Sequence, residues 1–208
     1  METRGPMASK AKAVKITALI LAAGASTRMG ATNKLLAEID GRPVIEWVVQ
    51  AALSSEADEV IVVTGFEPGR IREALAGFPV RFADNPDHGS GLSTSVKAGI
   101  AALTDDTSGA VFLLGDMPRV TPSVIDRLIA CFRRRAGSVI CRPVFGDRAG
   151  NPVLWPRDLF AALQAVDGDK GGRDLLNIHG DRLCPIGVDT DGIFFDIDEP
   201  GDLDGAGA

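Results

Sequence analysis

The stretch Ile16-Thr17-Ala18-Leu19-Ile20-Leu21-Ala22 runs straight into Ala23-Gly24-Ala25-Ser26-Thr27-Arg28-Met29-Gly30. Its first part is almost continuously apolar and stops at small residues. Such a run marks a strand covered on both faces, as in a parallel sheet, that opens into a Gly-rich turn. The same alternation continues downstream. Pro43 to Leu53 predicts a helix, with Val44, Trp47, Val48 and Ala51 on one face and Pro43 in its first turn. Glu59 to Thr64 reads as a strand, Pro68 to Ala76 as a helix ended by Gly77, and Val80 to Ala83 as a short strand. Gly91 to Leu103 predicts a helix and Ala110 to Leu114 a buried strand. Thr121 to Arg135 predicts a long helix, with Thr121 as N-cap and Pro122 at its first position. Strands alternating with helices imply right-handed crossovers and a doubly wound, mostly parallel, Rossmann-like α/β sheet.

After Ser138 to Cys141 the rhythm changes. Gly146 to Asn151 predicts a turn between short strands, and Pro152 to Trp155 is the second of them, giving a small β-hairpin region. Arg157 to Ala165 and Arg173 to Ile178 read as helices, and Leu183 to Val188 and Ile193 to Asp196 as closing strands. Residues 1–13, with Lys10 and Lys12, read as a disordered leader ahead of one folded domain over 14–204.

Composition narrows the function. Hydrophobic residues are 45% and charged residues 24% of 208, the balance of a folded globular chain. The formal net charge of -6 argues against broad binding to nucleic acid or to an anionic membrane, since both would repel it. No apolar run reaches the roughly 18–20 residues that span a bilayer. The cysteines, Cys131, Cys141 and Cys184, are odd in number and lack CxxC spacing. Neither a disulfide framework nor a zinc site is expected of them, and a reducing cytoplasm is the natural compartment.

The first loop carries the chemistry. Ligands of open α/β sheets bind beyond the carboxyl ends of the strands. Small residues from Leu21, Ala22, Ala23 and Gly24 to Ser26 let backbone N–H groups approach phosphate oxygens, and Arg28 and Lys34 add the cations a triphosphate needs. A dinucleotide fingerprint fails here, because Ser26 stands where its second glycine should be and Thr64-Gly65 replaces its acidic ribose partner. A Walker A loop fails because Gly30 is followed by Ala31. Further on, Asn85-Pro86-Asp87-His88-Gly89-Ser90-Gly91-Leu92-Ser93-Thr94-Ser95 opens a helix with glycines and hydroxyls. His88 reads as a solvated loop residue. Asp116 ends a buried strand in Leu114-Gly115-Asp116-Met117-Pro118, facing the same crevice, where a carboxylate can hold Mg²⁺ on a triphosphate. Asp196 and Asp198 in Asp196-Ile197-Asp198-Glu199-Pro200-Gly201-Asp202-Leu203 would share one face of a strand, while Asp202 reads as a cap.

LAAGASTRMG followed by NKLL resembles the signature of the MobA-like nucleotidyltransferases, and the double alanine before Gly24 is more like their molybdenum cofactor cytidylyltransferases. The resemblance runs from about Ile16 to Leu203. It implies transfer of CMP from CTP to a phosphorylated acceptor, molybdopterin, with release of pyrophosphate and with Mg²⁺ as cofactor. An apo-molybdoenzyme would then be a partner. By resemblance, Arg28, Lys34 and Asp116 are catalytic. Asn85, Gly91, Ser93 and Ser95 join the first loop on the nucleotide, and Asp198 is favoured over Asp196 as the second metal ligand. Asn151 in the GxPV-like strand, and Lys170 and Arg173 in the GD-x-G-x-R-like loop, would face the acceptor. Two other readings of the same fold are an NAD(P)-dependent oxidoreductase and a non-catalytic carrier of the molybdenum cofactor. The missing dinucleotide fingerprint weighs against the first, and the metal carboxylate Asp116 against the second.

Overall fold

The computed structural model describes residues 14–25, 33–168 and 172–204. The predicted leader lies outside them, as do Ser26, Arg28 and Lys170. The parallel core is built from β1 (Lys15–Ala22), β4 (Glu59–Thr64), β5 (Arg81–Asp84) and β6 (Thr107–Leu114). Between β1 and β4 lie a two-stranded ribbon, β2 (Glu38–Ile39) and β3 (Arg42–Pro43), and helix α1 (Val44–Leu53). Helix α2 (Pro68–Ala74) joins β4 to β5, and α3 (Leu92–Ala101) joins β5 to β6. The chain then forms α4 (Pro122–Arg134), β7 (Ile140–Phe145), β8 (Arg148–Ala149), β9 (Val153–Pro156), α5 (Phe160–Gln164), α6 (Arg173–Ile178) and β10 (Leu183–Gly187). Sheet order is β10-β7-β9-β6-β1-β4-β5, with β8 paired to β7.

Pairing is parallel between β6, β1, β4 and β5 and between β7 and β10, while β9 runs antiparallel to both β6 and β7. The mostly parallel sheet expected from the sequence is thus present, with one reversed strand inside it. Period-2 alternation in β1 divides the core. Ile16, Ala18, Ile20 and Ala22 join the layer covered by α1, α2 and α4, whereas Leu19 and Leu21 join the layer covered by α3, α5 and α6. Burying each large aliphatic side chain of this kind contributes about 1.5–3 kcal/mol. Helix α4 begins as predicted, with Thr121 Oγ1 accepting from Val124 N at 3.4 Å, and its last turn carries Arg133 and Arg134, which suit the negative end of the helix dipole.

Three expectations need correction. Pro43 is not in the first turn of α1; it is extended, at φ -52 and ψ 140, because β3 pairs with β2 up to that residue. Arg157 to Ala165 is split into a 3-10 turn, Arg157–Leu159, and the shorter α5. Ile193 to Asp196 is not a strand. Asp191–Phe194 is a 3-10 turn capped by Thr190 Oγ1, which accepts from Gly192 N at 3.0 Å; Phe195 after it is extended, and among the described residues no strand follows β10. Among the described residues, no helix is long and apolar enough to cross a membrane.

Candidate active site

Strand order reverses at β1, which has β4 and β5 on one side and β6 on the other. A crevice must open there at the carboxyl ends, because successive crossovers leave in opposite directions. A cleft of about 780 Å³ occupies that position. Leu21 at the end of β1 and Ala23, Gly24 and Ala25 just after it line the cleft, with Lys34 and Leu35 from the following turn, Leu114 at the end of β6 and Asp116 just beyond it, and Asp198 from the C-terminal segment. His88, Gly89, Ser90, Gly91, Leu92 and Ser95 form the opposite wall.

Lys34 is held by a short 3-10 turn, Lys34–Leu36, whose N-cap Asn33 accepts from Leu35 N at 3.1 Å. Its Nζ lies 2.6 Å from Asp116 Oδ2 and 3.0 Å from Asp198 Oδ1. Burial alone would weaken the lysine's hold on its proton, but Asp116 and then Asp198 more than reverse this and raise its pKa. Asp196 completes the cluster. One oxygen each from Asp116, Asp196 and Asp198 lies within 4.8 Å of the others. Burial, then the nearby charges of Asp116 and Asp198, raises the Asp196 carboxyl above its ordinary value.

The donor set fits a hard divalent cation, which takes oxygen ligands. Asp116 Oδ1 is buried and has no hydrogen-bond partner among the described residues. An orphaned buried carboxylate oxygen is costly unless something binds it. The fold brings both Asp196 and Asp198 to Asp116, although neither is in a strand. Asp202 is a cap, as read from the sequence: its Oδ2 accepts from Asp198 N at 2.9 Å and from Glu199 N at 2.8 Å.

The C-terminal segment is docked onto the end of β6. Ile197 N donates to Asp116 O at 2.9 Å, and Asn151 N donates to Ile193 O at 3.0 Å. The Arg119 guanidinium lies 4.0 Å from the Phe195 ring centroid. Gly192 permits the approach, for a Cβ there would stand 2.5 Å from Arg119 O and 2.9 Å from Arg119 Cβ.

The remaining predicted residues fall into distinct places. Ala22 is buried in the core layer of α1 and does not line the cleft. Asn85 and Ser93 are buried and do not line the cleft. Asn85 Nδ2 donates to Thr94 Oγ1 at 2.9 Å and Ser95 Oγ at 3.0 Å, while its Oδ1 accepts from Asp87 N at 3.1 Å, so it braces the loop behind Gly91. Ser93 N donates to Gly168 O at 3.1 Å, which ties the start of α3 to the loop leading to α6. Asn151 is half-buried beside the C-terminal segment and Arg173 is exposed at the start of α6; neither lines the cleft. His88, expected to be solvated, is half-buried in the cleft wall, and its buried Nδ1 has no hydrogen-bond partner among the described residues. Gly65 makes room for it, because a Cβ at that position would meet His88 Cβ at 2.5 Å. The sequence signal for this contact was a glycine directly after a buried strand.

Known proteins resemble this chain in sequence and in fold. The molybdenum cofactor cytidylyltransferase of Escherichia coli K12 is 29% identical over 190 residues, covering 90% of this chain and 93% of its own. The bifunctional protein GlmU of Kineococcus radiotolerans is 36% identical over 119 residues, and the match spans only 24% of that longer protein. A nucleotidyl transferase from Methanothermobacter thermautotroptrophicus superposes with a TM-score of 0.78 at 29% identity, covering 90% of this chain and 94% of that one. Rv0371C of Mycobacterium tuberculosis H37Rv, solved in complex with manganese, does so with a TM-score of 0.78 at 26% identity, covering 93% and 98%. The model of the MobA-like NTP transferase domain matches residues 18–183. With the Gly-rich turn, the lysine and the carboxylates gathered at one switch point of a doubly wound sheet, the chain belongs to the MobA-like NTP transferase family.

Proposed function

We propose that this chain transfers CMP from CTP to a phosphorylated pterin, molybdopterin, and releases pyrophosphate. The observation that carries the reading is the meeting of Lys34, Asp116 and Asp198 in the cleft beside the Gly24 turn, with Asp196 completing their carboxylate group. The likeness to the E. coli molybdenum cofactor cytidylyltransferase over nearly the whole chain supports the choice of nucleotide and acceptor.

An oxygen of the acceptor's terminal phosphate attacks the α-phosphorus of CTP, and the bond from that phosphorus to the pyrophosphate oxygen breaks. The attacking oxygen is already ionised near neutral pH, so the chain has no need of a strong general base. Its contribution is positioning and charge neutralisation. The backbone of Ala23 to Ala25 cradles phosphate oxygens, and Lys34 supplies a fixed cation next to them. Asp116, with Asp196 and Asp198, would hold Mg²⁺, which when bound offsets charge on the triphosphate. Leu21, Leu114 and Leu92 exclude water from the floor and wall of the cleft. Asn151, Lys170 and Arg173 are proposed to face the acceptor, and an apo-molybdoenzyme to receive the product.

The test is pyrophosphate release with each of the four common ribonucleoside triphosphates and Mg²⁺, with and without molybdopterin, for wild type and Asp116→Ala. Release that requires molybdopterin, prefers CTP and is lost in the variant is the expected result. No release with any triphosphate would overturn the proposal.

A further inference from the structure

The three cysteines, 53 residues apart at their widest in sequence and unpatterned along the chain, meet in space. Cys131 lies on α4, Cys141 on β7 and Cys184 on β10. Cys141 and Cys184 are register partners in the parallel pair of β7 and β10. All three point into, or pack against, the same core layer. Cys131 Sγ and Cys184 Sγ are 3.1 Å apart. A disulfide bond is about 2.05 Å long, so the two sulfurs need to close by roughly 1 Å, a movement within reach of side-chain rotation. The other requirement is access. Cys131 and Cys141 are buried, whereas Cys184 is half-exposed on β10, the edge strand of the sheet.

We propose that Cys131 and Cys184 form a reversible intramolecular disulfide on exposure to a two-electron oxidant of the hydrogen peroxide class. Cys184 meets the oxidant first. Its sulfur, having lost its proton, attacks one peroxide oxygen; the O–O bond breaks, leaving a sulfenic acid on Cys184 and releasing water. The Cys131 sulfur then attacks the Cys184 sulfur, the S–O bond breaks, and a second water leaves with the proton from Cys131. Two thiols are oxidised and one peroxide is reduced to two waters. Burial, then the hydrogen bond and charge of Cys131, raises the pKa of the Cys184 thiol, against the opposing pull of Arg135 and Arg134. Cys184 is therefore held as the thiol until an oxidant arrives. Cys141 is a bystander with no exposed surface. The new bond would staple edge strand β10 to α4. The loop it closes contains β7, β8, β9, α5 and α6, and with them Asn151 and Arg173. This inference stands apart from the proposed transfer reaction.

The test uses the full chain, reduced and then treated with hydrogen peroxide under native conditions. Free thiols are alkylated in denaturant and the protein is digested without reductant for mass spectrometry. Expected are one linked peptide pair joining Cys131 to Cys184, an alkylated Cys141, and a higher midpoint of thermal unfolding that reverts with dithiothreitol. Cys141→Ser keeps the link. Cys184→Ser, a change at a half-exposed position that leaves the buried thiols in place, loses both the link and the shift in midpoint. The proposal is overturned if all three cysteines are alkylated, if the link involves Cys141 or joins two chains, or if it forms only as native circular dichroism is lost.

Discussion

Gly192→Ala is the most direct test of how the carboxylate cluster is assembled. The added Cβ would stand 2.5 Å from Arg119 O, a backbone atom that cannot rotate away. The segment carrying Asp196 and Asp198 must therefore lift off the end of β6. Overpacking of this kind costs about 1–3 kcal/mol. Losing the hydrogen bond from Ile197 N to Asp116 O adds about 1 kcal/mol. Replacing a glycine returns roughly 0.4–1 kcal/mol through the unfolded state. The net expectation is a loss of about 1–3 kcal/mol in urea unfolding. Misplaced carboxylates also bind metal less well, by about 10–100-fold when a supporting contact is lost. Free Mn²⁺ counted by electron paramagnetic resonance during a titration reads this directly. Gly69→Ala is the control, since a Cβ there meets nothing within 4 Å and the helix α2 should gain stability. Wild-type Mn²⁺ affinity and an unchanged unfolding midpoint in Gly192→Ala would refute the docking argument.

Lys34→Met removes the cation between Asp116 and Asp198. Because the site is only half-buried, the cost without metal should be about 1–3 kcal/mol, below that of breaking a fully buried pair. Saturating Mn²⁺ should restore part of that stability, which thermal unfolding with and without the metal would measure. Where β10 begins, at the end of the sheet opposite the cleft, Arg182 grips Asp158 through two hydrogen bonds, at 2.8 and 3.0 Å, and these hold the Asp158 carboxyl below its ordinary pKa. A carboxyl lowered in the folded state stabilises at pH above its unfolded value, and that stabilisation is lost as pH falls through the folded value. Asp158→Asn should therefore cost about 0.2–1 kcal/mol near neutrality, given its exposure, and nothing once the carboxyl is protonated. Urea unfolding at the two pH extremes would check this.

The parts that local chemistry dictates were readable from the letters. Ile16 to Ala22 has nowhere to sit except the middle of a sheet, and Asp116 after a buried strand has few uses other than a ligand or a counter-ion. The strand read over Ala110 to Leu114, which lies within β6, and the capped helix α4 follow from the same local rules. What escaped depends on distant partners. Nothing near Gly192 in sequence announces that Arg119 will press on it. Without that contact Ile193 to Asp196 reads as a strand by its apolar character. Asn85 reads as a ligand contact; among the described residues its side chain bonds to Asp87 in its own loop and to Thr94 and Ser95 at the start of α3. The reversed strand β9 was foreseen as half of a hairpin, but its insertion between β6 and β7 depends on pairing with Gly109 to Phe112, more than forty residues earlier.

The carboxylate cluster also has an order of birth. Lys34 and Asp116 belong to a nucleotide half that is complete, strand for strand, once β6 has been made. Asp196 and Asp198 arrive some eighty residues later and dock across that finished edge through Ile197. On the ribosome, a chain with β1, β4, β5 and β6 in place has the phosphate turn but lacks two of the three carboxylates. Full cation affinity, and with it any chemistry that depends on the cation, is thereby withheld until synthesis has passed Asp198.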